Sequence, residues 1–456
     1  MKFLCLSAAL LSALLMAGNT QAQSRQTWSL QQCIEQAINS NLQVKQSQIN
    51  AQNNLLTANR NRGSLLPNIN GNATHSYNFG RSLDPTTYQF VDQRIQSNNF
   101  SVNGNVVLFS GLQIQNSIKQ SLLDYEAGLL DIETTRNNIM LQVVMAYLNI
   151  LFAEELVQTN TLLRDNTNAQ LTRTQKLFAA GSVAESNVIE LQAQSSQDEL
   201  NIITAQNQRD LAVLNLIQLM NLKEQTDLEI VRPALPDPSA LPLPASPDLV
   251  YQTALGNQPQ IKSAGVREQS AIVGIKAARG GYYPTLSLFG NVSTIYSSAR
   301  DQISLGPDGT PVLSEYSFRE QVKDYLGRSV GLSLNIPILN GFQVRNNVNR
   351  AQLNHQNAQL QSEMAKQDLY QTIQQSYTDA RAAEKRFIAA TNQLTSFELA
   401  FTNAQKRFDA GILNTTDFNV SKNNFARAQS DLIQAKFDYI FRLKVLDFYQ
   451  GKPITL

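Results

Sequence analysis

The residues best suited to chemistry are few and scattered in this sequence. His75 and His355 are separated by most of the chain, and neither has cysteines or carboxylates around it at metal-ligand spacing. The sequence contains no glycine-rich phosphate loop, nucleophile elbow or pair of catalytic carboxylates. We therefore predict no catalytic residue, no metal site and no cofactor. An envelope hydrolase would need a nucleophile, and none is visible in the sequence.

The first residues follow the pattern of a secretory signal, in which Lys2 precedes an apolar run over residues 3–17. Residues 1–22 are predicted to be removed, and the mature chain then starts near Gln23. Cys5 lies inside the apolar run and Cys33 well beyond the cut, so no lipid anchor is expected. Cys33 would be the only thiol left, which excludes a disulfide within the chain.

Composition narrows the classes of partner. The chain is 42% apolar and only 16% charged, with a net charge of +1, which gives no reason to expect a nucleic-acid partner. No stretch after the signal approaches the ~20 apolar residues of a transmembrane helix. Any contact with the interior of a membrane would therefore use β-strands.

The chain repeats one design twice. Residues 37–67 match 254–284 without a gap, Gly63 falling on Gly280, and further on Gly111 falls on Gly341. The spacing between matched positions increases between these two regions, which places an insertion in the second copy at about 300–328. Prolines between Arg232 and Pro247 indicate a stiff extended connector. The predicted domains are a first repeat at 23–231, a connector at 232–247 and a second repeat at 248–456.

Within each copy the periodicity changes from helical to alternating and back. Opening helices are predicted at 30–66 and 249–283, and long helical hairpins at 111–222 and 341–449. The long arm of each hairpin has coiled-coil spacing and would be ~100 Å long at ~1.5 Å per residue. Gly181 and Gly411 supply the residue best able to reverse these helices.

Four segments alternate polar and apolar residues as membrane β-strands do. On the second, Val106 and Leu108 share the apolar face; on the fourth, Leu334 and Ile338 are apolar while Ser333 faces the other way. Four strands cannot close a barrel, because the smallest use ~8 and an open edge in lipid leaves backbone groups unpaired. Closure is therefore expected from other copies of the chain. The strand pairs are predicted at 68–79 with 98–109 and at 284–297 with 328–339, joined by external loops at 80–99 and 297–327.

This organisation resembles the TolC family of outer-membrane efflux proteins, the outer membrane factors. The resemblance is carried by the two copies of helix, strand pair, long helix and returning helix, by the opening segment 28–37, and by Phe-x-Ala-Gly turns at 178–181 and 408–411. It covers essentially the whole mature chain. The fold it implies is a mixed α and β membrane protein, in which a trimeric 12-stranded β-barrel with four strands per chain continues as a long α-helical coiled-coil tunnel.

The resemblance also implies a function and partners. The function would be that of an outer-membrane exit duct in a tripartite efflux or type I secretion system, which conducts substrates passively across periplasm and outer membrane. The partners would be two further copies in a homotrimer, a periplasmic adaptor protein, an inner-membrane pump and outer-membrane lipid. The competing interpretation is a periplasmic coiled-coil scaffold without a channel. The regular apolar face around Leu334 argues against it, since a soluble two-stranded hairpin has no need of one.

In the family an acidic ring constricts the periplasmic end just beyond the Phe-x-Ala-Gly turn. Asp417 matches one acidic position, and Asn187 is its equivalent in the first copy. In the family, ion pairs and hydrogen bonds also hold this constriction closed, and we call these positions the lock. Asn187, Leu413 and Val420 lack the charges found there, which implies a weaker gate. Two interpretations of Asp417 stay open: a threefold carboxylate ring that binds or filters cations, and a lone aspartate that complements a helix dipole.

The hairpin tips supply the remaining candidate residues. Gly181 and Gly411 are interpreted as helix-reversal positions, with direct contact to an adaptor as the alternative. Phe178 and Phe408 are interpreted as residues of the coiled-coil seam, with the same alternative.

Overall fold

Long helices and a small amount of β-sheet alternate in the computed structural model of this chain. The described residues are 27–83, 88–92, 94–222, 228–234, 238, 242–305 and 307–454. The predicted signal peptide at 1–22 lies outside them, as do residues 235–237 and 239–241 of the predicted connector. The helices are α1 Leu30–Ser40, α2 Leu42–Gly63, α3 Gln113–Ala179, α4 Glu185–Leu219, α5 Pro247–Asn257, α6 Pro259–Arg279, α7 Phe318–Asp324, α8 Gln343–Asp409 and α9 Thr415–Tyr449. The strands are β1 Thr27–Trp28, β2 Asn68–Asn78, β3 Arg81–Leu83, β4 Phe90–Asp92, β5 Ile95–Ser110, β6 Glu229–Ile230, β7 Thr285–Ser297, β8 Asp301–Leu305, β9 Pro311–Glu315 and β10 Gly327–Asn335.

The two opening segments were each predicted as one helix, and this was wrong, since both are interrupted. Asn41 separates α1 from α2 with an extended backbone. Gln258 separates α5 from α6 at φ −71° and ψ 123°, because a residue before proline is driven out of the helical region. Pro247, predicted to end the connector, instead lies in the first turn of α5, where proline needs no amide donor.

The long arms α3 and α8 each contain 67 residues, and the returning helices α4 and α9 each contain 35. The equal lengths follow from the internal repeat, since each copy encodes the same pair of helices. The predicted hairpins at 111–222 and 341–449 therefore have the expected elements in the expected order.

The four predicted strands form one antiparallel sheet in the order β10-β7-β5-β2. In its register Leu334 pairs with Leu286, Gly290 with Gly104, and Gly104 with Ile69, so these residues share one face. The other face carries polar side chains such as Ser333. Phe289, which is out of phase in the sequence, lies on this polar face directly opposite Gly331. The sheet thus has one mostly apolar and one mostly polar face.

Two strand predictions were wrong where the strands approach the long helices. The β5–β7 register shifts between Val107 and Phe109, and Phe109 instead of Leu108 pairs opposite Leu286. Such a bulge inserts one extra residue and bends the strand. Strand β10 ends at Asn335, short of the predicted 339, because Pro337 has no amide to donate to a ladder.

The segments predicted as external loops contain structure of their own. Strands β3 and β4 pair in the first, and β8 and β9 pair in the second, which also contains helix α7. The side-chain amide of Gln321 on α7 donates to the carbonyl oxygens of Ser297 and Tyr316 at 3.0 and 2.8 Å. The second segment is therefore tied to the end of β7.

The chain divides into two compact units that each draw on both repeats. One contains residues 27–48, 130–262 and 365–454 among those described, and its core includes Cys33, Ile139, Tyr147 and Leu216. There β1 pairs with β6 in parallel, and the Tyr147 hydroxyl donates to the Trp28 carbonyl at 3.3 Å. The other unit contains 49–129 and 263–364 and holds the sheet.

Among the described residues, α3 is long and apolar enough in one 18-residue window to pass a test for a membrane span, at a mean hydropathy of 1.5. The expectation that no stretch approaches this level was therefore too strict. Half of the window is buried. Its apolar character has a packing explanation, since Ile139, Val143, Tyr147 and Ile150 of α3 all belong to the helical core.

Candidate functional site

The tips of the two hairpins are closed by the glycines that the sequence singled out. Gly181 has φ +74° and Gly411 has φ +72°, a left-handed conformation that favours glycine. The amide of Gly181 donates to the Phe178 carbonyl at 2.8 Å, and the amide of Ser182 donates to the Leu177 carbonyl at 2.9 Å. Gly411 has the same pattern of bonds. This arrangement satisfies the last carbonyls of a helix and reverses the chain.

Phe408 lies in a stack of aromatic rings at the second tip. Its ring centroid is 4.6 Å from that of Phe418, and Phe401 is 5.8 Å from Phe418 and 5.2 Å from Phe425. Phe178, its equivalent in the first copy, is 43% exposed. The two copies therefore differ at their tips: Phe408 packs in an aromatic stack, whereas Phe178 leaves much of its ring exposed.

Asp417 lies in the first turn of α9 with its side chain exposed. The side-chain oxygen of Asn414 accepts from the Asp417 amide at 2.7 Å, and the Asn414 side-chain amide donates to Asp417 Oδ2 at 2.9 Å. Asn414 thus caps the helix, and Asp417 places a negative charge at its positive end. The Asp417 carboxylate is therefore a partner of the helix cap and is exposed to solvent.

The other residues of the predicted lock carry no charge. Asn187 is half-buried in the first turn of α4, where its backbone amide donates to the Ala184 carbonyl at 3.2 Å. Leu413 is half-buried and Val420 is exposed. Helix α4 begins at Ala184 without a side-chain cap, in contrast to α9. Asp417 is therefore the one ionisable residue among the four lock positions.

Two polar contacts join the first hairpin to the second near these tips. Arg173 on α3 forms an ion pair with the Asp409 side chain and donates to the Asp409 carbonyl at 3.2 Å. The Thr416 hydroxyl of α9 lies 3.5 Å from Glu190 of α4. All four residues are at least partly exposed, so water and salt screen these contacts.

A buried polar cluster that was not among the predicted sites connects α3, α4 and α9. Lys422 of α9 is 3% exposed, and its ammonium lies 2.5 Å from Oδ2 of Asp198 on α4. Thr167 of α3 donates its hydroxyl to the same carboxylate, and Gln194 donates to Asp198 Oδ1 at 2.8 Å. The cluster fastens α9 to both helices of the first hairpin.

Burial lowers the pKa of the Lys422 ammonium from its ordinary value, and its hydrogen bond and ion pair with Asp198 act in the opposite direction. A sequence signal for this pair exists. Asp198 follows Val188 and Leu191 and precedes Ile202 at helical spacing, so a carboxylate occupies an otherwise apolar row. Lys422 occupies a similar position after Phe418. Opposite charges in two apolar rows indicate a buried ion pair.

The two histidines are far from any ligand set. His75 on β2 shares a hydrogen bond with the side-chain oxygen of Asn98, and His355 lies on α8. Over the described parts of the chain, no group of three or more histidine, cysteine or acidic residues could hold a metal ion.

A two-faced antiparallel sheet and two long helical hairpins in one chain form the fold of solved outer-membrane channels. The Campylobacter jejuni CmeC outer membrane channel matches with a TM-score of 0.74 at 18% identity, over 92% of this chain and 85% of that chain. The open state of the Neisseria gonorrhoeae MtrE outer membrane channel matches with a TM-score of 0.69 at 18% identity, over 92% and 88%.

Sequence comparison leads to the same class. The outer membrane efflux protein BepC of Brucella suis is 22% identical over 384 residues, which are 83% of this chain and 75% of that protein. The outer membrane protein TolC of Escherichia coli is 24% identical over 428 residues, 91% and 80% of the two chains. The family described as outer membrane efflux protein matches residues 33–222 and 250–451, and the chain belongs to this family. It is an outer-membrane exit duct whose helical part extends into the periplasm, and its family and fold are those of channels and not of enzymes.

Proposed function

We propose that three copies of this chain close a 12-stranded barrel and form the passive exit duct of a tripartite efflux or type I secretion system. The observation that carries the proposal is the four-stranded sheet, whose outer strands β10 and β2 each leave one edge unpaired within the described chain. Its apolar face suits lipid, and open edges in lipid leave backbone groups unsatisfied. Pairing β10 of one copy with β2 of the next would satisfy both edges.

The junctions between strand and helix support this assembly. Gly111 lies against the second copy of the design, where an added Cβ would be 2.7 Å from Tyr283 Cβ, and an added Cβ on Gly280 would be 2.9 Å from Gln113 Cβ. The repeat equivalents of Gly111 and Gly280 are Gly341 and Gly63, and both have open space around them. We infer that Gly341 of one subunit packs on Gly63 of the next, as Gly111 packs on Gly280 within the subunit.

The same equivalence gives a register for the subunit boundary. Within the chain β5 pairs with β7 so that Asn103 lies opposite Asn291. Their repeat equivalents are Ser333 on β10 and Thr74 on β2, on the polar face. Ser333 of one subunit would therefore lie directly opposite Thr74 of its neighbour.

Cysteine pairing tests the register. With both Ser333→Cys and Thr74→Cys in the chain, oxidation should link subunits into covalent trimers, because opposed strand residues have Cβ atoms ~5 Å apart. The control pairs Ser333→Cys with Asn70→Cys, four residues along β2 and ~13 Å away, and should not cross-link. Equal cross-linking of both pairs would refute the register, and a detergent-extracted monomer by mass measurement would refute the closed assembly.

The finer parts of the proposal concern the tips. We assign a threefold Asp417 ring to the periplasmic constriction, with Asn187 facing it from the first copy. The exposed Phe178 and the turns at Gly181 and Gly411 are the proposed contacts for a periplasmic adaptor, which links the duct to an inner-membrane pump. The polar sheet face and uncharged lock residues suit a permissive conduit, whose selectivity lies in that pump. Co-purification of the partners with the intact protein tests this assignment, and a duct that retains no adaptor after cross-linking would contradict it.

A further inference from the structure

The apolar sheet face contains a groove where two neighbouring strands each have a glycine. Gly104 and Gly290 pair across β5 and β7, and on β10 Val330 lies opposite Gly290. The groove has a volume of about 330 Å³. Its floor is formed by the two glycines and its walls by Ile69, Val102, Val292 and Val330. Both glycines could accept a Cβ at ordinary contact distances, 3.6 Å from Ile69 and 3.8 Å from the Ser329 carbonyl, so neither is required by backbone crowding.

A positively charged side chain, that of Arg328, lies at the end of this groove. Arg328 shares the apolar face, since it pairs opposite Val292, and it lines the groove. Its side chain is exposed and forms no ion pair within the described chain. Arg328 is at the end of β10 that follows helix α7, remote from the end that continues into α8. The chain thus places a guanidinium without an ion pair at the external end of the mostly apolar face.

A second arginine, Arg94, directly precedes β5, and its side chain lies over aromatic rings at the β2 edge of the sheet. Arg94 lies 4.3 Å from the ring centroid of Tyr77 and 5.9 Å from that of Phe79. In the register proposed for neighbouring subunits, Arg328 lies opposite Phe79, because Asn98 pairs with Tyr296 in the equivalent strands. The two guanidinium groups would then meet at each subunit boundary.

We propose that each boundary binds a phosphorylated lipid of the outer leaflet, with one acyl chain in the Gly104–Gly290 groove and its phosphate between Arg328 and Arg94 of the adjacent subunit. The inference rests on the proposed closed assembly, which turns the apolar face to lipid. An arginine fork suits a phosphate, and a cation beside hydrocarbon requires a counter-charge. The aromatic rings around Arg94 suit the interface between headgroups and acyl chains.

The experiment titrates fluorescent lipid A into the detergent-solubilised protein and counts retained lipids by native mass spectrometry. We expect up to three lipids per trimer. Arg328→Gln should weaken binding about tenfold or more, since a charge-assisted bond is lost. Gly290→Val should weaken it about threefold or more by filling the groove. Two control variants should bind lipid A as the unaltered protein does. Arg350→Gln removes a charge from α8, and Gly71→Val adds the same bulk to the same face outside the groove.

Two further probes separate the phosphate from the chain. Dephosphorylated lipid A should bind as weakly to the unaltered protein as lipid A binds to Arg328→Gln, and inorganic phosphate at millimolar concentration should not displace lipid A. Two results would overturn the lipid site: equal binding of phosphorylated and dephosphorylated lipid, or unchanged binding in both Arg328→Gln and Gly290→Val. If the trimer mass and the conductance were normal in that case, the proposed duct would stand. Loss of the trimer in the unaltered protein would instead refute the assembly.

Discussion

Removing the cation from the buried cluster is expected to weaken the helical unit more than any surface substitution. Lys422→Met leaves the Asp198 carboxylate buried without its counter-charge, and such an uncompensated charge costs about 3–5 kcal/mol. Thr167 and Gln194 still donate to Asp198, which favours the lower end of that range. At roughly 2–4 °C per kcal/mol, the expected fall in Tm is about 6–12 °C.

A double variant separates the lost pair from the lost packing. Lys422→Met with Asp198→Leu removes both charges, and a buried pair replaced by apolar residues is often neutral or stabilising. We expect its Tm to recover most of the loss. Lys452→Met is the matched control, because the Lys452–Asp447 pair has the same chemistry but a lysine side chain that is 58% exposed, and such pairs contribute about 0–1 kcal/mol.

The measurement is thermal loss of the far-ultraviolet helix signal in detergent, at one scan rate for all four proteins, since large proteins often unfold irreversibly. Two results would refute the reasoning. One is a Lys422→Met loss no larger than that of Lys452→Met. The other is a double variant that loses as much as Lys422→Met alone, which would show that the contacts of the lysine stem matter and not the charge.

Three more predictions concern the lipid face, the constriction and the core thiol. Leu334→Arg should impair membrane assembly, since a charge near mid-bilayer costs about 2–4 kcal/mol, whereas Ser333→Arg should fold and alter conductance; equal folding defects would mean that the two faces are misassigned. Asp417→Asn should reduce cation selectivity and block by trivalent cations in planar bilayers with little change in trimer stability, and unchanged selectivity in an assembled channel would place the constriction elsewhere. Burial raises the pKa of the Cys33 thiol to about 12 from 9.0. The Cys33 thiol of the folded protein should therefore resist iodoacetamide at pH 8 and react once the protein is unfolded. The stability contributed by the neutral thiol should hold below about pH 9 and be lost as the pH rises towards 12. Rapid labelling of native protein would contradict this.

Much of the architecture could be predicted because the signals are periodic and occur twice. The hairpin helices, the glycine turns and the faces of the sheet follow from spacings of three or four and of two. The errors fall where a single residue overrides a period. Pro259 interrupts an opening helix through the residue before it, Pro337 ends β10 early, and one extra residue near Phe109 shifts a register. The two prolines can be read in the sequence as breaks, whereas the register shift is visible only against the neighbouring strand.

The candidate site was less predictable, because its residues become neighbours only through packing between helices. The positions of Asp417 and Gly411 come from one local motif and could be found in the sequence. The ion pair between Lys422 and Asp198 joins residues of different copies at positions that are not repeat equivalents. The internal repeat therefore does not predict this ion pair. Its only signal in the sequence is a charged residue in each of two apolar helix rows.

The unequal closure of the two hairpin tips has a consequence for how the chain fluctuates. The second tip is held by the stack of Phe401, Phe408 and Phe418 and by the Asn414 cap, whereas α4 begins at Ala184 without a side-chain cap. Backbone amides near Gly181 should therefore exchange with deuterium sooner than those near Gly411, since local opening is easiest where fewest contacts must break. The first hairpin is thus expected to have the tip that opens more readily, and the second the tip that stays closed longer.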